Sequence, residues 1–459
     1  MQKINYQMNE ISIIILSAGK GTRMKSNLPK VMHKVAGREM VNMVIDESKK
    51  LNPQNITLVV SQEMEIFYDK IKNEHKNNSI DFLIQHERKG TGHAVSCAIS
   101  SFNENKKLHK KVLILYGDTP LISHQTLEKM LQKIDDFSLC ILGFDDEQEN
   151  AYGRLVINDL GHLEKIVEFK DANEIEKKIS LCNSGVIAVD GNALPHLLSQ
   201  IKNANSAQEF YLTDIVGIAN NQGLKCTFIK TNIAEVLGVN SRSELAHIEK
   251  IKQKQIRQKM MENGVTLISP KSVYFNFDTK ISQDVIIYPN VFFGSEVVVE
   301  SGVEIKSFCH IEGATIQKNA KIGPFARIRP QSEIAENVHI GNFVEIKKSK
   351  ISKNSKINHL SYIGDSEIGE NTNIGAGTIT CNYDGFNKFK TTIGDNVFIG
   401  SNSALVAPVA IKNGAIIGAG SVITKNVECD DLAVSRTSQT NLAGGATKFR
   451  KSKSVKKND

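Results

Sequence analysis

Tryptophan is absent from the 459 residues, and aromatic side chains make up only 6% of them. That scarcity argues against a core of aromatic clusters and suits aliphatic stacks joined by small turns, for which 32 glycines are available. No apolar run approaches the ~20 residues needed to span a bilayer. The first ten residues lack a cationic stretch followed by an apolar one, so no signal peptide is expected and the chain reads as soluble and cytoplasmic. The cysteines (Cys97, Cys140, Cys182, Cys226, Cys309, Cys381, Cys429) form no C-x-x-C pair and no metal-ligand spacing. They fit a reducing compartment and exclude a disulfide framework or a structural zinc site. Nor is there a broad excess of one charge. Of the formal +7, the last twelve residues supply +5 through Lys448, Arg450, Lys451, Lys453, Lys456 and Lys457 against Asp459, leaving +2 elsewhere. A nucleic-acid-binding surface over the body is therefore not expected, and the tail reads as a disordered, solvated end.

What is present begins with length, which calls for two domains of roughly 200 residues each. The second half carries an internal repeat. Large apolar residues recur every six positions at Ile281, Ile287, Phe293, Val299, Ile305 and Ile311, then after a five-residue step at Ile316, Ile322, Ile328, Ile334, Ile340 and Ile346. Further five-residue steps lead to Ile351, Ile357 and Ile363, and to Ile368 and Ile374, before the series resumes at Ile393, Ile399, Leu405, Ile411, Ile417 and Ile423. Six is neither a helical nor a strand period; it fits a triangular coil with one short strand and one turn per side. The repeats predict a parallel β-helix from Ile281 to Glu428, with each aliphatic residue stacked on its equivalent one coil away. Gly often follows the aliphatic position, as at Gly323, Gly341, Gly364, Gly375, Gly394, Gly400 and Gly418, and is expected at corners of positive φ. The polar interruption from Thr380 to Thr392 reads as a loop thrown out of the prism, either for binding or as a tolerated excursion.

The first half alternates apolar strands (Ile11 to Leu16, Ile56 to Ser61, Ile80 to Gln85, Val112 to Tyr116) with helical segments such as Glu39 to Leu51 and Thr91 to Ser101. This pattern predicts an α/β, Rossmann-like, mainly parallel sheet with ligands at strand C-terminal ends. Between the halves, Ser241 to Gly264 predicts a connecting helix. Ser241 and Glu244 can form a capping box, and Leu245, Ile248, Ile251, Ile256 and Met260 give one apolar stripe opposite a Lys- and Gln-rich face. The domains are thus drawn at 1–240, a linker helix at 241–264, the β-helix at 265–440 and a basic tail at 441–459.

The first strand runs into Leu16-Ser17-Ala18-Gly19-Lys20-Gly21-Thr22-Arg23-Met24, followed by Pro29-Lys30. A Gly-rich turn in that place can wrap a phosphate with backbone N–H groups, although such turns are as often purely structural. The spacing satisfies neither the dinucleotide fingerprint nor the P-loop. Asp118, at the end of an apolar strand, is a suitable hard oxygen ligand for Mg²⁺, or a turn residue when taken alone.

This segment resembles the sugar-1-phosphate nucleotidyltransferase signature. The resemblance continues through Gln85, Lys89-Gly90-Thr91-Gly92-His93, Tyr116-Gly117-Asp118, Tyr152-Gly153-Arg154, Glu168, Asn183-Ser184-Gly185 and Gly238-Val239-Asn240. With the second half it extends over nearly the whole chain to the family of bifunctional bacterial N-acetylglucosamine-1-phosphate uridyltransferases/glucosamine-1-phosphate acetyltransferases. The resemblance implies UTP and N-acetylglucosamine 1-phosphate as substrates, Arg23 and Lys30 on the triphosphate, and Asp118 with Asn240 as Mg²⁺ ligands. It further implies that Gln85, Gly90 and Thr91 read uracil, and that Gly153, Glu168 and Asn183 hold the sugar. Leu16, Ser17, Ala18, Gly19, Gly21, Tyr116 and Gly117 complete the implied nucleotide site. Ser17 stands where Ala is usual, and Lys89 where an apolar residue is common.

Acyl transfer from acetyl-CoA to an amine needs a proton acceptor titrating near neutrality, and His359 projects away from the inward position of its hexad. Alone it reads as an ordinary surface histidine. Arg329-Pro330, Glu345-Ile346-Lys347-Lys348, Asn358-His359-Leu360-Ser361-Tyr362, Asn373-Ile374-Gly375 and Thr380-Cys381-Asn382-Tyr383-Asp384-Gly385 with Lys388 resemble the family's acetyltransferase segment. The resemblance implies a left-handed β-helix in which His359 is the base and Arg329, Lys347 and Lys388 bind the phosphate of glucosamine 1-phosphate. Tyr362, Asn373, Asn382 and Tyr383 would position sugar and thioester, and Ser401, Ala419 and Arg436 would line the coenzyme A groove. Gln331 stands where Gly is usual. A homotrimer is implied, with no nucleic-acid partner and no membrane insertion.

Overall fold

The computed structural model describes residues 10–75, 80–102, 107–147, 150–159 and 161–454. The chain divides into two compact units that meet between Gln255 and Ile256.

The first unit is built on a sheet whose central path runs Cys226–Lys230, Leu139–Asp145, Leu181–Asp190, Lys111–Tyr116, Ile11–Ser17, Asn55–Val60, Ile80–Ile84. The last four strands are mutually parallel, while Leu181–Asp190 lies antiparallel to both its neighbours. Ile11–Ser17 is buried at all seven positions, as expected of a strand covered by helices on both faces. The chain leaves it on one side toward Asn55–Val60 and returns later on the other at Lys111–Tyr116. The strand order therefore reverses beside Leu16, which faces Tyr116 in register. Such a reversal opens a crevice at the strand ends.

The second unit stacks short strands into three parallel faces of ten, eight and eight strands. Inward residues lie directly on one another: on the ten-stranded face Ile322, Ile340, Ile357, Ile374, Ile399 and Ile417 pair in sequence. They belong to one continuous apolar column, in which each buried Ile contributes about 2 kcal/mol. The coils begin earlier than the aliphatic series, at Thr266–Leu267, with Phe275 stacked on Phe293 at 5.0 Å, and end at Leu432–Ala433.

Several expectations need correction. Of the seven glycines following an aliphatic position, only Gly323 has positive φ. Gly341, Gly375, Gly394 and Gly400 are instead required by backbone contact: a Cβ on Gly341 would lie 1.9 Å from the Asn358 carbonyl oxygen, and one on Gly400 2.4 Å from the Ala419 nitrogen. The left-handed corner falls later, usually three residues after the inward residue, and is occupied by Asn319, Asn337, Asn354, Asn371, Phe308, Phe325 and Gln331 among others. Asn tolerates that conformation well. The extruded loop is also shorter than the polar stretch. Thr380 and Thr391 are fully buried within the strands Ile379–Cys381 and Thr391–Ile393, and Thr380 pairs with Leu405 as an inward residue of the repeat.

The connecting helix is Arg242–Glu262. Ser241 Oγ accepts from the Glu244 N–H at 3.2 Å, but Glu244 answers the N–H of Asn240 (2.5 Å) rather than that of Ser241, so the capping box closes one residue early. Ile248 packs in the first unit and Met260 in the second. The polar face is not wholly solvated: Gln253 and Arg257 are buried, and the Arg257 guanidinium donates to the Val273 carbonyl. The tail is not disordered through residue 454. Gly445–Ser454 is an exposed helix, favoured by its Ala, Lys and Arg content and by cations in its last turn. Lys456, Lys457 and Asp459 lie outside the described residues.

Candidate active sites

A cleft of about 330 Å³ opens at the strand reversal of the first unit. Its walls include Leu16, Ser17, Ala18, Gly19, Lys30, Gln85, Gly90, Thr91, Tyr116 and Asp118. Gly117 keeps two strand exits together: a Cβ there would sit 2.2 Å from Ser17 Oγ. Gly21 turns the loop with φ +59 and presses against Lys30, whose Cβ lies 2.7 Å from the position a Gly21 Cβ would take. The Lys30 ammonium forms an ion pair with Asp118 and donates to Asn240 Oδ1 at 3.0 Å. Two oxygens 122 positions apart in sequence thus converge on one cation, a donor set that fits a hard divalent metal. Burial and the nearby Glu168 and Asp118 charges raise the Tyr116 hydroxyl pKa, while its hydrogen bond with Thr91 opposes the shift.

Next to the cleft, the Gly153 carbonyl accepts from the Asn183 N–H at 2.8 Å, and Glu168 accepts from Thr213 Oγ1 at 3.0 Å. Asn183 Oδ1 in turn accepts from the N–H of Gly185, which abuts the Tyr116 ring. Gly153, Glu168 and Asn183 are thereby gathered against Tyr116. Burial, aided by Asp214, Asp171 and Glu209, pushes the Glu168 carboxyl above its usual range.

Arg23 is the exception: it lies exposed on the turn Thr22–Met24 and is not among the side chains of the cleft wall. Arg88 and Glu209 line the wall without having been picked out from sequence; the Arg88 guanidinium donates to the Ala18 carbonyl at 2.9 Å. A cation three residues after Gln85 was the available signal. Lys89 pairs with Glu87 at 2.5 Å while its carbonyl accepts from the Phe210 N–H, so this departure leaves the backbone turn intact.

In the second unit His359 is exposed, and its Nδ1 lies 2.7 Å from Asn342 Oδ1. An amide oxygen only accepts, so this contact assigns the ring proton to Nδ1 and leaves the Nε2 lone pair available. Asn342 was not singled out in the sequence because it stands seventeen residues away, one coil below, where the register pairs it with His359. A groove of about 380 Å³ runs beside them, lined by Lys306, Lys321, His339 and Phe343.

At the far edge of the next face lies a cationic group. The Lys347 pKa is lowered chiefly by contact with the Lys388 ammonium, and Arg329 adds to the repulsion. Arg329 is itself held by Glu345 at 2.8 Å. Asn382 donates to Asp365 at 2.5 Å, and the Tyr362 ring covers Gly364, its hydroxyl 2.5 Å from the position of a Cβ there. The intervening strand Tyr362–Gly364 is ~10 Å long, about the span of a hexose phosphate. Ser401 and Ala419 stand two residues after Ile399 and Ile417, as His359 does after Ile357, so the three share one corner column. At one coil per ~4.8 Å they trace a line ~14 Å long. Arg436 closes that line by donating to the Ala419 carbonyl. Asn373 occupies an outward strand position one coil after Lys356, and Tyr383 lies exposed in the loop, donating to the Gly385 carbonyl. Gln331 holds its left-handed corner with φ +64.

The family model for the MobA-like NTP transferase domain matches residues 13–262. The GMPPB C-terminal domain model matches residues 310–400, and the bacterial transferase hexapeptide model (six repeats) residues 390–425. The chain is 48% identical over 452 residues to the bifunctional protein GlmU of Paramagnetospirillum magneticum, covering 98% of each chain. It is also 48% identical over 448 residues to that of Zymomonas mobilis subsp. mobilis, covering 97% of this chain and 98% of the relative. Identity to the Bartonella quintana protein of the same name is 46% over 438 residues, 95% of this chain and 96% of the other. With relatives of this identity matching end to end, and a nucleotidyltransferase unit followed by a left-handed hexapeptide β-helix, the chain belongs to the bifunctional GlmU family of transferases.

Proposed function

We propose that the β-helix acetylates glucosamine 1-phosphate with acetyl-CoA, and that the first unit then transfers UMP from UTP to N-acetylglucosamine 1-phosphate, releasing pyrophosphate. The observation that carries this reading is that each unit holds its own reactive set: Lys30, Asp118 and Asn240 in one, His359 with the Lys347–Lys388 cations in the other.

In the acetyl transfer, the sugar amine attacks the thioester carbonyl carbon; the C–N bond forms and the C–S bond breaks. His359 Nε2 takes the amine proton and returns it to the thiolate leaving group, while Asn342 holds the imidazole by its Nδ1–H. Arg329, Lys347 and Lys388 anchor the phosphate, Tyr362, Asn373, Asn382 and Tyr383 orient sugar and thioester, and the His359–Ser401–Ala419 column with Arg436 receives coenzyme A. In the uridylyl transfer, a phosphate oxygen of the sugar phosphate attacks the α-phosphorus of UTP and the bond to pyrophosphate breaks. Lys30 and the loop N–H groups meet the charge on the departing phosphates, joined by Arg23 if the turn closes over bound nucleotide. Gln85, Gly90 and Thr91 face the base; Gly153, Glu168 and Asn183 hold the N-acetylglucosamine. Asp118 and Asn240 would hold Mg²⁺, which supplies charge neutralisation at the triphosphate.

The functional domains are drawn at 1–240 and 265–440 about the linker helix, with a basic tail from 441. A homotrimer with closed cyclic symmetry is the proposed assembly. No described helix is long and apolar enough to cross a membrane; a cytoplasmic location is proposed. Two assays on purified protein test the reading: thiol release from acetyl-CoA with glucosamine 1-phosphate, and pyrophosphate release from UTP with N-acetylglucosamine 1-phosphate. Both products are expected. Pyrophosphate without thiol would reduce the β-helix to an assembly platform.

A further inference from the structure

Gln85 and His93 form a hydrogen-bonded unit at the wall of the nucleotide cleft. Gln85 is 6% exposed, and its amide nitrogen lies 3.4 Å from the Gly90 carbonyl oxygen and 3.1 Å from His93 Nδ1. A carbonyl oxygen only accepts, so the end of the amide turned toward Gly90 is the NH₂ group. Its second hydrogen points at Nδ1, which must present a lone pair. The ring proton then belongs on Nε2, and that nitrogen lies 3.7 Å from Cys97 Sγ, one helical turn along Thr91–Ser100. With both hydrogens held, Gln85 Oε1 accepts no hydrogen bond among the described residues and is the polar atom the amide has left for a ligand.

We infer that His93 is a positioning residue for base selection, locking Gln85 so that Oε1 is the group offered to the nucleotide base. An oxygen at that place accepts from a pyrimidine whose ring N3 carries hydrogen, as uracil does. Cytosine presents a lone pair at N3 and is repelled. Without the Nδ1 acceptor the amide is free to turn over and offer N–H, which suits cytosine. The inference rests on the uridylyltransferase reading and on Gln85 facing the base.

The test is kcat/KM of the full-length protein for UTP and for CTP, read as pyrophosphate release with N-acetylglucosamine 1-phosphate, in wild type, Gln85→Ala, His93→Ala and His93→Asn. The asparagine places an amide oxygen near the position of Nδ1. The UTP:CTP ratio should fall about tenfold in His93→Ala, mainly through a raised KM for UTP with kcat retained, and return in His93→Asn; tenfold is ~1.4 kcal/mol, the order of one hydrogen bond. Circular dichroism and the melting midpoint check folding. A ratio in His93→Ala equal to wild type, while Gln85→Ala loses it, overturns the role of His93. Loss of kcat with both nucleotides and no rescue by asparagine marks a merely structural histidine and overturns it as well. A ratio unchanged in Gln85→Ala removes Gln85 from base recognition, and no pyrophosphate from wild type overturns the uridylyltransferase reading beneath both.

Discussion

The Ser17 side chain carries an energetic cost that follows from its neighbours in the fold. Its backbone belongs to the loop at the cleft, but its hydroxyl is buried against Gly117 without a hydrogen-bond partner among the described residues. An orphaned hydroxyl costs about 1–3 kcal/mol, so Ser17→Ala should raise the stability of the first unit by about 1 kcal/mol, read as a higher urea midpoint. A lower midpoint would show that the hydroxyl is satisfied. His75 makes the same point through pH. Burial lowers its pKa from 6.5 to about 4, with the nearby Asp46 opposing and Arg38 and Lys49 assisting. Its folded pKa lies below the unfolded one, so between those values only the unfolded chain binds the proton, and stability falls as pH drops from about 6.5 to about 4. After allowance for solvent screening the loss is on the order of 2 kcal/mol. His75→Gln should flatten that limb of a melting-midpoint profile. Residue identities at the cleft were legible because motif order survives in sequence. Asn342 and the Gln85–His93 contact were not, since each depends on which strand or helix lies alongside.

The hexapeptide element was legible for a simple reason: its core is one-dimensional, and every inward position must be filled. Within the series only Thr380 escaped, because a hydroxyl side chain at an inward site breaks the aliphatic pattern without breaking the coil; at its ends the inward Leu267, Phe275 and Ala433 lie beyond it. The reason for the glycines was not legible, since close backbone approach and positive φ both select the same residue. Their consequences differ. In Gly341→Ala the new Cβ meets the Asn358 carbonyl of the next coil, whereas a Cβ on Gly420, at φ +72, would meet no atom of the described residues within 4 Å. Gly420→Ala should cost about 1–2 kcal/mol of left-handed strain. Gly341→Ala should cost at least 3 kcal/mol, because a backbone carbonyl cannot yield without opening the ladder. Equal midpoints in thermal unfolding of the two variants would contradict the contact explanation.

Across the whole molecule, two units with separate cores carry two separate sets of reactive groups. Separation has a consequence for function that neither unit has alone: damage to one set should leave the other working. Asp118 and Asn240 draw a cation into the nucleotide cleft, and His359 is held by Asn342 on the prism. The most direct measurement is therefore the pair of assays applied to Asp118→Ala and His359→Ala in the full-length protein. Asp118→Ala should lose pyrophosphate release by at least a hundredfold and keep thiol release within about twofold, and His359→Ala should do the reverse. A folded variant of either kind that loses both activities, or neither, would contradict the account of two independent transfer sites in one chain.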